Sequence, residues 1–323
     1  MGGWAVRAEP AGVGPVQLGE WPAVRPRRHL ERRRCLHRAH RGPADGPGGV
    51  PVTTGQAPRA EAERATQALL FDLDETLLHE AESVAAAFRE VCTLAQRQRG
   101  LDPAALEQSV RTRARALWEA VPIREWCVRV GTSSFGALTA DFSGDGPELA
   151  WLRGWAPHYH REAWRRGLAD NGLDDAGRAQ SLATEFAETR EWLHVPFPEA
   201  AQVLQVFSSG PRLGLLTNGF PAQQRGKLSG AGLTAYFDVI VVSGELGCGK
   251  PHRRPFEVAL TQLGATVQSI WMIGDSLERD IAGAKAVGMK TVWVNRAGDP
   301  RDNTVVPDAE VRDLTELEKI VHP

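Results

Sequence analysis

The chain has 323 residues, 42% of them apolar, with 38 Lys and Arg against 40 Asp and Glu for a net charge of −2. That length can bury a large core, and the near-neutral balance excludes a generally basic protein that coats nucleic acid. No apolar run approaches the ~20 residues needed to cross a bilayer, and four cysteines without paired spacing predict reduced thiols in a soluble, cytoplasmic protein.

Residues 1–66 carry eleven Arg against six Asp and Glu, about +5, which leaves about −7 for the remainder. This segment is rich in Gly, Pro and Ala and shows no sustained apolar period, so it is predicted to be a disordered extension. A basic arm or a targeting peptide would also use its arginines, but no apolar stretch follows them. Its composition favours an extension without a function of its own, one reading placing it upstream of the true start, although no Met lies between Met1 and Met272.

From residue 67 onward the pattern predicts an α/β fold, a doubly wound parallel sheet of Rossmann type with an inserted all-α layer. Strands are expected at 68–72, 212–217, 237–243, 269–274 and 290–295, with helices at 220–231, 254–264 and 278–287. A short edge element at 308–311 and a closing helix at 313–321 complete the core, which therefore spans 67–79 and 196–323. The interval 80–195 is far too long for a loop and should form a helical cap. Helices are expected there at 80–98, 103–119, 147–154, 157–169 and 175–193, with a glycine-containing loop over 135–146. Trp151 and Trp155 lie four apart and should pack on one helical face. His158, His160, Arg161, Arg165 and Arg166 read as a solvated basic face, and Cys248 as a small loop residue.

The most informative residues stand at the strand ends. Phe71-Asp72-Leu73-Asp74-Glu75-Thr76 closes a short apolar strand with two carboxylates two residues apart, which extended chain places on one side. Such a pair repels itself unless a cation lies between the acids, or unless one attacks while the other moves a proton. Leu216-Thr217-Asn218-Gly219 ends a second strand in a hydroxyl, an amide and a glycine. Gly247-Cys248-Gly249-Lys250 puts a lysine on a glycine-flanked loop, in a chain with 33 Arg but only five Lys. Gly274-Asp275 opens an acidic turn whose second acid, Asp280, lies five residues on. Ligand sites of open α/β sheets form at such strand ends.

These four segments, in this order, resemble the haloacid dehalogenase superfamily, and their detailed style is similar to its branch of N-acylneuraminate-9-phosphatases and nucleotide phosphatases. The resemblance covers roughly 67–82 and 196–300. It implies a Mg²⁺-dependent phosphatase acting on small phosphate monoesters, with Asp72 as nucleophile and Asp74 as proton shuttle. It further implies Thr217 with Asn218 or Gly219 on the phosphoryl oxygens, Lys250 offsetting their charge, and Asp72, Asp275 and the Asp74 carbonyl on the metal, with Thr76 and Asp280 in support. A phosphomutase or a dehalogenase on the same fold is the alternative enzyme, and a non-catalytic phosphometabolite-binding protein the alternative outside catalysis. Glu75 occupies a position where many relatives have Gly, which is expected to narrow the entrance, and His252 and Arg253 depart from the usual Asp and Pro after the lysine. The expected partner is a small phosphate ester, without nucleic acid or membrane, in a monomer or weak dimer.

Overall fold

In the computed structural model, residues 67–300 and 304–321 are described; the predicted extension over 1–66 lies outside them. Six parallel strands form one sheet: β1 (Ala68–Phe71), β2 (Arg212–Thr217), β3 (Val239–Val242), β4 (Ile270–Gly274), β5 (Lys290–Val294) and β6 (Ala309–Val311). Their order is β3-β2-β1-β4-β5-β6, so the chain changes direction across the sheet between β1 and β4. The ends of β1, β2 and β4 are therefore neighbours, and a crevice opens at their carboxyl ends.

The strands are apolar on both faces because both are covered, as parallel sheets require. Leu69 and Phe71 of β1 face a layer with Leu213, Leu215 and the helix Ala200–Phe207, while Ala68 and Leu70 face Phe256, Ala259 and Met272. The flanking helices on that second face are Arg253–Leu263 and Ala282–Val287.

Between β1 and Ala200, the chain builds the helical cap from α1 (Glu80–Arg99), α2 (Pro103–Glu119), α3 (Arg124–Val130), α4 (Ser134–Ala137), α5 (Pro147–Asp170) and α6 (Ala176–Trp192). Asp102 caps α2 by accepting from the Ala104 and Ala105 amides, with Pro103 at the first helical position. The cap has its own core, in which the Phe88 and Phe186 rings lie 4.4 Å apart and Trp164 is fully buried. Tryptophan and phenylalanine burial of this kind supplies much of the apolar area a small helical layer needs.

Three local expectations are revised. Helix α5 runs unbroken through Pro157, where two helices were predicted. Proline removes one backbone bond, but Trp155 and Tyr159 on either side stack 4.7 Å apart and pack on Trp118, so tertiary contact carries the helix across. Short helices α3 and α4 form where no helix, or a loop, was expected, because Trp126, Cys127 and Val130 bury one face of α3. The acidic turn after β4 enters its helix through a wide turn, Leu277–Ile281, before Ala282–Val287.

Candidate active site

Asp72 is the first residue past β1, its amide still bonded to Ile273 O at 2.9 Å in the β4 register. One carboxylate oxygen accepts from Lys250 Nζ at 2.5 Å and the other from the Thr76 hydroxyl at 3.3 Å. Thr76 is fully buried, and its oxygen also accepts the Asp275 amide at 3.1 Å. One hydroxyl thus joins the ends of β1 and β4.

Lys250 donates to Asp72 and to Leu216 O at 2.7 Å, and its ammonium pairs with an Asp280 oxygen 2.7 Å away. Burial alone would lower its pKa, but Asp280 and Asp72 raise it, so the ammonium stays charged. Asn218 grips the same residue by its backbone, accepting from Lys250 N at 2.8 Å and donating to Lys250 O at 3.0 Å. Asp280 also accepts the Ser276 amide at 3.0 Å, and it packs so tightly on Gly274 that a Cβ there would collide with its carboxylate. That contact explains a glycine before Asp275.

Asp72, Asp275 and Asp280 bring carboxylate oxygens within 4.8 Å of one another. Burial raises Asp72 to about 7 against the pull of Lys250, and burial together with the Asp280 and Asp72 charges pushes Asp275 well above the usual carboxylate range. Among the described residues no donor reaches the Asp275 side chain. Three crowded acids with one cation between two of them form an oxygen-rich set suited to a hard divalent cation.

The second carboxylate of the pair has different partners. β1 ends at Phe71, and Asp74 follows two residues after Asp72, where its charge adds to the burial that raises Asp72. Lys227 Nζ contacts both Asp74 oxygens at 3.0 Å, and the Gln224 side-chain amide donates to Asp74 at 3.0 Å and to Thr217 Oγ1 at 2.7 Å. Thr217 therefore keeps its own hydroxyl hydrogen to donate. The Gly219 amide is engaged by Ser243 Oγ at 2.9 Å, whose hydroxyl in turn donates to Val130 O of the cap at 2.7 Å. The cap also touches the lysine loop directly: Gly249 N donates to Arg129 O at 2.8 Å, and Arg129 Nε to Gly247 O at 2.9 Å.

Sequence reading passed over Lys227, Gln224 and Ser243. A signal existed for the first two, since residues three apart on the helix Pro221–Gly230 share a face and lysine is scarce in this chain. Glu75 has a positive φ of 63°, and its carboxylate turns toward the start of α1, accepting the Ala81 amide at 2.6 Å and pairing with His79. It is committed to the helix N-terminus, where the dipole favours an acid. Arg165 and Arg166 pair with Glu162 on the cap, away from these groups. A cleft of about 240 Å³ between cap and core is lined by Thr139, Asp141, Arg190, Glu191 and His194, and meets the site only through Lys227.

Residues 66–288 match the haloacid dehalogenase-like hydrolase family. A phosphoserine phosphatase of Thermus thermophilus is 37% identical over 253 residues, which cover 77% of this chain and 96% of that protein. The chain belongs to the haloacid dehalogenase-like hydrolases. Within that family, the mouse N-acylneuraminate-9-phosphatase is 38% identical over 158 residues, 48% of this chain and 64% of the relative. The fold is that of the magnesium-bound hydrolase YfnB of Bacillus subtilis, with a TM-score of 0.56 at 23% identity over 80% of this chain and 99% of that one. A phosphatase of the family from Thermococcus onnurineus gives a TM-score of 0.51 at 26% identity over 79% and 97% of the two chains. This hydrolase has, among its described residues, no helix long and apolar enough to cross a membrane.

Proposed function

We propose that this hydrolase is a Mg²⁺-dependent phosphatase that cleaves small phosphate monoesters through an aspartyl-phosphate on Asp72. The observation that carries the reading is the setting of Asp72, held by Lys250 and Thr76 beside Asp275, with a second acid two residues on. Phosphatases among its relatives support the choice of ester over halide, including the phosphoserine, N-acylneuraminate-9-phosphate and glyceraldehyde 3-phosphate phosphatases. We assign 67–79 and 196–323 to the catalytic core and 80–195 to the cap.

In this reading an Asp72 oxygen attacks phosphorus and the bond to the alcohol oxygen breaks, while Asp74 gives that oxygen a proton. Asp74 then takes a proton from water, which attacks the phosphoryl group, and Asp72 leaves as a carboxylate with inorganic phosphate as product. Thr217 donates to a phosphoryl oxygen, and the Lys250 ammonium offsets charge on Asp72 and the transferring group. Asn218 serves by fixing the Lys250 backbone, and Asp280 by orienting the ammonium. Asp72, Asp275 and the Asp74 carbonyl would hold Mg²⁺, which when bound neutralises negative charge shared by the acids and the phosphate. The cap, bonded to the lysine loop through Arg129, would exclude water and bulky polymers.

A panel of phosphorylated metabolites, assayed for phosphate with and without Mg²⁺, tests this function. Release from a compact monoester that stops on chelation is expected. Halide release from haloacids without phosphate release would instead assign a dehalogenase, and preference for a phosphoprotein would overturn the closed cap.

Metal removal should also be visible in stability. Asp72 titrates near 7 in the folded chain against 3.8 unfolded, so without metal the native state holds its proton longer. Asp72 therefore contributes instability that grows as pH rises between these values. Mg²⁺ binds the ionised acids, so the melting-temperature gain of Mg²⁺ over chelator is expected to widen as pH rises from about 5 through about 7, and to go on widening while Asp275, also raised by burial, ionises. His194 and His160, pushed down by burial, act in the opposite sense but cancel in this difference. A gain that shrinks with rising pH would contradict the metal assignment.

A further inference from the structure

We infer that Lys227 and Gln224 are positioning residues that hold the Asp74 carboxylate in one orientation, in a frame that Glu80 and Arg190 anchor to the two chain connections between sheet and cap. The inference rests on the proton-shuttle role proposed for Asp74. Lys227 is 4% exposed, and an ammonium taken out of water is costly unless fully partnered. Its partners are both oxygens of Asp74 and Glu80 Oε1, each at 3.0 Å. Glu80 begins α1, and Arg190, in the last turn of α6, donates to both its oxygens at 2.8 and 3.0 Å.

These two helix ends are where the chain enters and leaves the cap, and the connections bond to each other through His79 N to Val195 O at 2.8 Å and Phe197 N to Leu77 O at 2.9 Å. The cluster ends on a carboxylate that a ligand in the crevice can reach. Here Asp74 keeps 30% of its side chain exposed while Lys227, Arg190 and Glu80 are largely covered. The Gln224 amide that holds Asp74 also holds Thr217, the hydroxyl at the end of β2. Proton donor and phosphoryl-binding hydroxyl are thus set against one side chain. A carboxylate fixed at both oxygens loses the rotations that would take it out of line with the leaving group.

The test compares two esters in the full-length protein with Mg²⁺: an alkyl phosphate from the panel, whose alkoxide needs a proton, and 4-nitrophenyl phosphate, whose phenolate leaves without one. kcat/KM for leaving-group release reports the steps up to that departure. Lys227→Met is expected to lower it about 10- to 100-fold for the alkyl ester and less than about 3-fold for the nitrophenyl ester. Gln224→Met should show the same bias, smaller on the alkyl ester. It leaves no buried charge unpaired, so it carries the test if Lys227→Met fails to fold. Asp74→Asn is the reference. If Asp74→Asn slows both esters equally, the proton-shuttle role falls and this inference with it. If Asp74→Asn discriminates between the esters and Gln224→Met, with any folded Lys227→Met, slows both alike or neither, the positioning role is overturned while the role of Asp74 stands.

Discussion

Asp72→Asn is expected to abolish phosphate release, by on the order of 10⁴–10⁶-fold, while leaving a folded protein. An amide is nearly the same shape as the carboxylate and still offers one oxygen to Lys250, whose ammonium keeps Asp280 and Leu216 O as partners. The change also removes a buried acid that is already pushed up to about 7, so no large loss of melting temperature should accompany the loss of turnover. Asp74→Asn is expected to cost less, about 10²–10⁴-fold, because it removes proton transfer and not the attacking oxygen. Steady-state release from the panel's best ester, beside thermal melting, checks both. Near-normal release by folded Asp72→Asn would place the nucleophile elsewhere.

Lys250→Met is expected to have the largest effect on stability, a loss of about 3–5 kcal/mol in metal-free buffer. Methionine fills the space but leaves Asp72 and Asp280 facing each other in a buried site, with Asp275 close by. The coupling gives a sharper test. Adding Asp280→Asn to Lys250→Met should restore part of the lost stability, because the second change removes an uncompensated charge, so the two effects should be far from additive. Lys250→Arg is not expected to rescue activity, since a planar guanidinium does not fit where one ammonium meets two carboxylates and a carbonyl. Denaturant unfolding of the single and double variants measures this. An additive double variant would mean that Lys250 does not compensate Asp280.

Several features of the site were legible in sequence because they are local. A polar group directly after a short apolar run marks the open end of a buried strand, and Asp72, Thr217 and Asp275 all announce themselves in that way. Asp280 follows from the turn spacing, and the strand–helix alternation is enough to specify a parallel sheet. The unbroken helix through Pro157 was not legible, because ring stacking by Trp155 and Tyr159 outweighs a local penalty that a propensity argument can only add up. Nor was the pairing of Asp74 with Lys227 and Gln224, since strand periodicity does not reveal which side chains of a distant helix meet the second acid.

The sequence by itself determined the chemistry available: carboxylates, a threonine and a rare lysine at strand ends, with a helical insertion after the first. Which cation meets which acid was decided by tertiary structure alone. Lys250 reaches Asp72 across 178 residues of chain, and Lys227 reaches Asp74 across 153. Both pairings exist because the order β3-β2-β1-β4-β5-β6 sets the ends of β1, β2 and β4 side by side. Composition offers every lysine equally to every acid; burial selects among them, because an ammonium folded into the interior is stable only where carboxylates and carbonyls already surround it.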